Sequence, residues 1–88
     1  MRLPESSMAG PFLGALLQGA RIPPEVSAEM FEYRRDQIIF TAISDMVKEG
    51  VTPDILTLTH YLQSAGKLDE AGGAAYVASL TDNAYIAN

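Results

Sequence analysis

The sequence predicts an all-α fold: a small compact bundle of about five helices with short loops, occupying residues 1–88 as a single domain. Three observations predict it. Apolar residues recur at three- and four-residue spacing, the period of a helix with one buried face. Breaks fall at Gly10-Pro11, Gly19, Pro23-Pro24, Gly50 with Pro53, Gly66 and Gly72-Gly73, and the stretches between them are too long for most strands. Hydrophobic residues make up 48% of the chain, too much for a disordered segment. A core this small often leans on a partner or on oligomerisation.

The first helix is expected over about Met8 to Gln18. Ser6 or Ser7 can cap it, and Pro11 is tolerated because it lies near the first turn. Leu13, Leu16 and Leu17 form its apolar stripe, and Gly19 stops it. Pro23-Pro24 opens a connector with one or two helical turns through Glu25–Met30.

The longest helix should cover about Tyr33 to Glu49. Ile39, Ile43, Met46 and Val47 share one face, flanked by Phe40 and Ala42, and Asp36, Asp45, Lys48 and Glu49 are expected in water. Gly50 closes this helix in a left-handed turn, where a side chain would be strained.

Another helix starts after Asp54, whose carboxylate can accept hydrogen bonds from free backbone N–H groups. Thr52-Pro53 as cap and first residue is the alternative. Ile55, Leu58, Leu62 and Ala65 point inward, Gly66 ends the helix, and Leu68 packs in the turn. Gly72-Gly73 permits two backbones to approach closely before a helix over about Ala74 to Thr81. Val77 and Leu80 are its buried residues, Tyr76 flanks them, and a last turn begins near Asn83.

The net charge of −5 is uneven: four Arg and four Glu cancel in residues 1–35, whereas residues 36–88 carry two Lys against seven Asp and Glu. Phosphate binding needs clustered Lys and Arg. Arg34-Arg35 is the only adjacent basic pair, and a solvated helix start is its simpler reading. With no cysteine, disulfides and thiolate metal sites are excluded, which is compatible with a reducing cytosol. No apolar run approaches a membrane span and no signal-peptide core follows Met1. A cytoplasmic protein is therefore expected.

Catalytic patterns find no support. There is no phosphate-binding loop with Lys-Ser/Thr. The single histidine, His60, has Leu56 and Ser64 at four-residue spacing rather than metal ligands, which is the pattern of a surface or boundary histidine. Asp69-Glu70 are adjacent in a loop, and Asp45 with Glu49 is a common pairing on a solvated helix face. Tyr33, Tyr61, Tyr76 and Tyr85 lack interleaved Lys or Arg, so stacking on single-stranded bases is not indicated. Packing at the core edge is the simpler reading of each tyrosine. Interface anchoring is the alternative, with Tyr76, Tyr85 and Ile86 as candidate partner-binding residues.

The most specific pattern runs Asp54-x-x-Thr57-Leu58-x-x-x-Leu62-x-x-x-Gly66-x-Leu68-x-x-x-Gly72-Gly73-x-x-Tyr76-x-x-x-Leu80. It resembles the N-terminal domain of DnaB-type replicative DNA helicases in order and nearly in spacing. Leu13-Gly14-x-Leu16-Leu17 is similar to that family's leucine–glycine motif, and Phe31 with Ile39-Phe40 to its aromatic start of a long helix. Asn88 is similar to the asparagine that opens the family's next helix. Ser7 and Ala9 stand where the family has acidic residues, its Phe-Tyr pair is split as Phe31-Glu32-Tyr33, and Asp36 replaces a histidine. The connector from Leu13 to Phe31 is several residues shorter than the family's.

The resemblance implies a non-catalytic globular head. The family continues into a helical hairpin, a linker and a RecA-like ATPase domain, and ATP and Mg belong to that motor. It also implies the partners: other helicase subunits, primase and, in some systems, a loader, with no strong nucleic-acid binding by the head itself and no membrane. A freestanding adaptor, loader-like factor or inhibitor that binds helicase or primase is the alternative, and bacterial primases end in a related helical module. A small helical enzyme would need a site supplied by another chain.

Overall fold

A computed structural model describes residues 9–86, with side chains through Thr81. The described residues hold four α-helices and one 3-10 turn and no strand: α1 (Ala9–Leu17), the 3-10 turn (Ala28–Met30), α2 (Arg34–Lys48), α3 (Ile55–Ser64) and α4 (Gly73–Ile86). The all-α expectation therefore holds. The separate turn expected near Asn83 is absent, because α4 continues without a break to Ile86. The expected caps Ser6 and Ser7, and Asn88, lie outside the described residues.

The core forms where the helical stripes meet. Leu13, Leu16 and Leu17 of α1 join Ile39, Phe40, Ile43 and Met46 of α2, Leu58 and Leu62 of α3, and Val77 and Leu80 of α4, all buried. The most extensive pairing is α1 with α4, and α2 packs on α1, on α3 and on the 3-10 turn. Gly14 is also buried on α1. Phe31 is 2% exposed and lies between Phe12 and Phe40, with ring centroids 6.0 and 5.2 Å apart. This tilted aromatic trio pins the connector to α1 and α2, and Gln37 Nε2 donates to the Phe31 carbonyl at 2.9 Å.

The helix ends share one device. After α2, Gly50 takes φ +80°, its N–H donates to the Val47 carbonyl at 3.0 Å, and the Val51 N–H donates back to Met46 at 2.8 Å. This paired pattern satisfies carbonyls that the helix end leaves open, and it commonly brings the outer residue into apolar contact with the last turn. The same pair of bonds closes α1 at Gly19 and α3 at Gly66.

At the start of α3, Asp54 rather than Thr52-Pro53 is the cap. Its Oδ1 accepts from the Thr57 N–H at 2.8 Å, and Thr57 Oγ1 accepts from the Asp54 N–H at 2.9 Å. Two free backbone donors are thus satisfied reciprocally. Thr57 Oγ1 also reaches the Thr52 carbonyl at 3.1 Å, which fixes the loop preceding the helix.

Three expectations need correction. Asp36, expected in water, is 1% exposed. Val47 is 49% exposed and Ala65 is exposed, although both continue apolar stripes. They lie at the ends of α2 and α3, where the stripe outruns the neighbouring helix. Gly72-Gly73 does not bring two backbones together. A Cβ on Gly72 would lie 2.7 Å from Tyr76 Cδ2, so the bare Cα makes room for the tyrosine ring, whereas a Cβ on Gly73 would meet nothing within 4 Å.

Candidate functional site

Two features stand out from the packed core. The first is a polar clasp between the starts of α2 and α4. Asp36 lies in the first turn of α2, where the helix dipole favours a negative charge. Its Oδ1 accepts from the Tyr76 hydroxyl at 2.6 Å, and Arg35 Nε lies 3.8 Å from the same oxygen. The Arg35 guanidinium also sits 4.1 Å from the centre of the Tyr76 ring and 5.3 Å from that of Tyr33, within cation–π range. Arg34 faces Glu70 at 3.8 Å with both side chains largely in water, a pair of little energetic weight.

Burial, the hydrogen bond to Asp36 and that carboxylate's charge push the Tyr76 phenol up to about 12. It therefore keeps its proton at neutral pH and serves as a donor, not as a base. The Arg34-Arg35 pair, read as a solvated helix start, is divided in practice. Arg34 is solvated, whereas Arg35 covers the clasp.

The second feature is a strip of exposed apolar side chains. Among the described residues the exposed large hydrophobics are Tyr33 at 46%, Val47 at 49%, Val51 at 40% and Leu56 at 79%. Val51 and Leu56 line one groove of about 580 Å³ with Met46, Glu49, His60 and Tyr61. Val51 also borders a second groove of about 490 Å³ that includes Val47, Ile22 and Leu16. The three aliphatic residues therefore form one continuous strip across the end of α2, its following loop and the outer face of α3. The Met46–Val51 proximity follows from the turn at Gly50, and the Asp54–Thr57 capping box holds Leu56 beside it.

Glu49 stands at the rim of the Leu56 groove. Tyr61 donates its hydroxyl to Asp45 Oδ2 at 3.4 Å. Its phenol is held above the ordinary value of 10.0 by burial first and then by the charges of Asp45 and Glu49. Among the described residues no lysine or arginine lines this groove, and Lys48 is exposed outside it. His60 is exposed on the groove wall. Among the described residues no three His, Asp or Glu side chains gather as metal ligands would, and no helix is long and apolar enough to cross a membrane.

The sequence-selected residues fall in different places. Leu13, Gly14, Phe31, Phe40, Leu62 and Leu80 are core, Asp54 caps α3, and Gly66, Gly72 and Gly73 take positive φ. Of the candidate partner-binding residues, Tyr76 is half-buried with its hydroxyl engaged by Asp36. Tyr85 and Ile86 lie on the last turn of α4, and their side chains are outside the described set. Sequence reasoning did not single out Val51 or Leu56, and Leu56 entered it only through its four-residue spacing to His60. The available signal was Leu56 itself, a large aliphatic residue off the Ile55–Leu58–Leu62 stripe.

The family model for the DnaB-like helicase N terminal domain matches residues 12–88. A protein named replicative DNA helicase DnaB from Treponema pallidum (strain Nichols) is 47% identical over 58 residues, which is 66% of this chain and 13% of that protein. A protein of the same name from Haemophilus influenzae (strain ATCC 51907 / DSM 11121 / KW20 / Rd) is 36% identical over 62 residues, 70% of this chain and 13% of that protein. The matched stretch thus spans about an eighth of each relative's length.

Proposed function

Since the chain belongs to the DnaB-like helicase N-terminal domain family, we propose that it is a non-catalytic assembly and docking domain of a cytoplasmic replicative DNA helicase. It helps subunits of the ring associate and receives primase or a loader during DNA replication. The observation that carries this reading is the family match over residues 12–88, together with relatives whose names are those of a replicative helicase. The structure supplies a compatible surface: an aliphatic strip exposed on rigid helices, which suits protein contact. The acidic balance of residues 36–88 disfavours phosphate contact. ATP and Mg are needed only by a motor domain, and this domain itself requires no cofactor.

The test is a binding and turnover comparison on the purified chain. Association with helicase subunits or primase, with no ATP hydrolysis and only weak affinity for single-stranded DNA at physiological salt, is the expected result. Tight DNA binding at that salt would overturn the assignment. The mass of the native polypeptide, with peptide sequencing past Asn88, separates the head of a longer helicase from a freestanding adaptor.

A further inference from the structure

Three exposed aliphatic side chains in one strip require a reason, because isolated exposed residues are ordinary but contiguous ones mark interaction surfaces. The groove between the end of α2 and the outer face of α3 has Met46, Val51 and Leu56 as its apolar wall and Glu49 on its rim, with Asp45 held behind Tyr61. We propose that this groove docks an amphipathic helix of basic character from a partner protein. It would take aliphatic anchors against Leu56 and Val51 and set Lys or Arg beside Glu49. The proposal rests on the reading of this domain as a docking module and specifies the surface and the chemistry of the occupant.

The observations select that occupant. The described residues contain no strand, so there is no sheet edge for an extended peptide to join, and a helix laid in a groove between helices is the mode that remains well matched. Glu49 lines the groove, and among the described residues no lysine or arginine does, so a basic flank is complementary and an acidic one is repelled. A second copy would bring another Glu49 and, among the described lining residues, no lysine or arginine to meet it, so a homodimer through this face lacks charge complementarity. The groove is also preformed. The Gly50 turn places Val51 against the last turn of α2, and the capping box fixes Leu56. Little ordering of this surface is then required on binding.

The experiment titrates the isotope-labelled chain with two synthetic helical peptides that share one leucine face at i, i+3, i+4 and i+7. One peptide carries lysines on its flanks and the other glutamates. The lysine peptide should bind with resonance changes centred on Val51, Leu56, His60 and Tyr61, and its affinity should fall with added salt. Leu56→Glu should weaken it roughly tenfold or more, the scale expected for losing one buried leucine contact. Glu49→Lys, at an exposed position, should narrow or invert the preference between peptides even if Leu56→Glu perturbs folding.

Equal or stronger binding of the glutamate peptide would overturn the proposal, as would resonance changes elsewhere. A concentration-dependent dimer abolished by Leu56→Glu would also overturn it, because the occupant would be a second copy. If the chain captures primase or helicase subunits equally well with and without Leu56→Glu, the groove assignment fails and the docking-domain reading stands. If neither peptide nor those proteins bind, both fail.

Discussion

Tyr76→Phe removes one oxygen from the contact between α2 and α4, and its cost can be worked from the geometry. Asp36 is 1% exposed, and among the described residues the Tyr76 hydroxyl at 2.6 Å is its one side-chain hydrogen-bond donor. Hydrogen bonds to charged groups contribute roughly 1.5–3 kcal/mol, and an unmet buried acceptor adds its own cost. Arg35 at 3.8 Å and the first turn of α2 continue to offset the charge, so a loss of about 2 kcal/mol is expected. For a domain of this size that corresponds to a fall in Tm of about 8–16 °C. Urea unfolding followed by circular dichroism reads the loss directly. In an Asp36→Leu background the same substitution should cost about 1 kcal/mol less, since the partner is gone. A Tyr76→Phe loss below about 0.5 kcal/mol, the scale of an ordinary surface change, would refute the reasoning. So would equal losses in both backgrounds.

The same bond predicts an alkaline limb. Tyr76 titrates at about 12 in the fold against an ordinary 10.0, so the unfolded chain releases this proton first. The associated stability is complete below the lower value and lost as pH rises through the upper one; Tyr76→Phe should flatten that limb and remove a late step from the phenolate absorbance titration, and an unchanged titration would contradict it. Gly72→Ala should destabilise by at least about 1 kcal/mol more than Gly50→Ala, because both carry the left-handed penalty but only the first collides with the Tyr76 ring. Equal unfolding midpoints would count against that contact. Thr57→Val should cost about 1 kcal/mol through loss of the capping box and should speed amide exchange in the first turn of α3. Exchange confined to other helices would mean that the box does not hold the helix start.

Helix order and most helix ends were legible because each boundary relies on local chemistry. Gly19, Gly50 and Gly66 read as stops and act as stops through the same pair of backbone bonds. Asp54 reads as a cap from its carboxylate, with Thr52-Pro53 as the alternative, and the partner that secures it, Thr57, is three residues away. Periodicity was less informative about extent. Ile43 and Val47 are one helical turn apart and share a face, yet Ile43 is fully buried and Val47 is half in water. The pattern reports which side of a helix is apolar, not where the neighbouring helix ends.

Asp36 shows where residue type and position disagree. Its spacing to Ile39, Phe40 and Ile43 puts it on the buried face of α2, but an aspartate there argues for solvent. Position prevailed because a tyrosine forty residues away supplies the hydrogen bond, an arginine covers the pair, and the helix start favours the charge. Arg35 and the helix start are local in sequence, but the tyrosine is not, so the clasp could not be read from the chain.

Leu56 is the converse, an apolar residue on a face that spacing assigns to water. Among the described residues nothing covers it, and the capping box around it holds it in place rather than letting it fold inward. A buried aspartate that finds its partners within the domain needs no second molecule to explain it. An exposed leucine beside Val51, fixed by two capping motifs and edged by Glu49, leaves apolar surface that no described residue removes from water. The same physical accounting therefore assigns Asp36 to the stability of the fold and the Leu56 groove to whatever this domain binds.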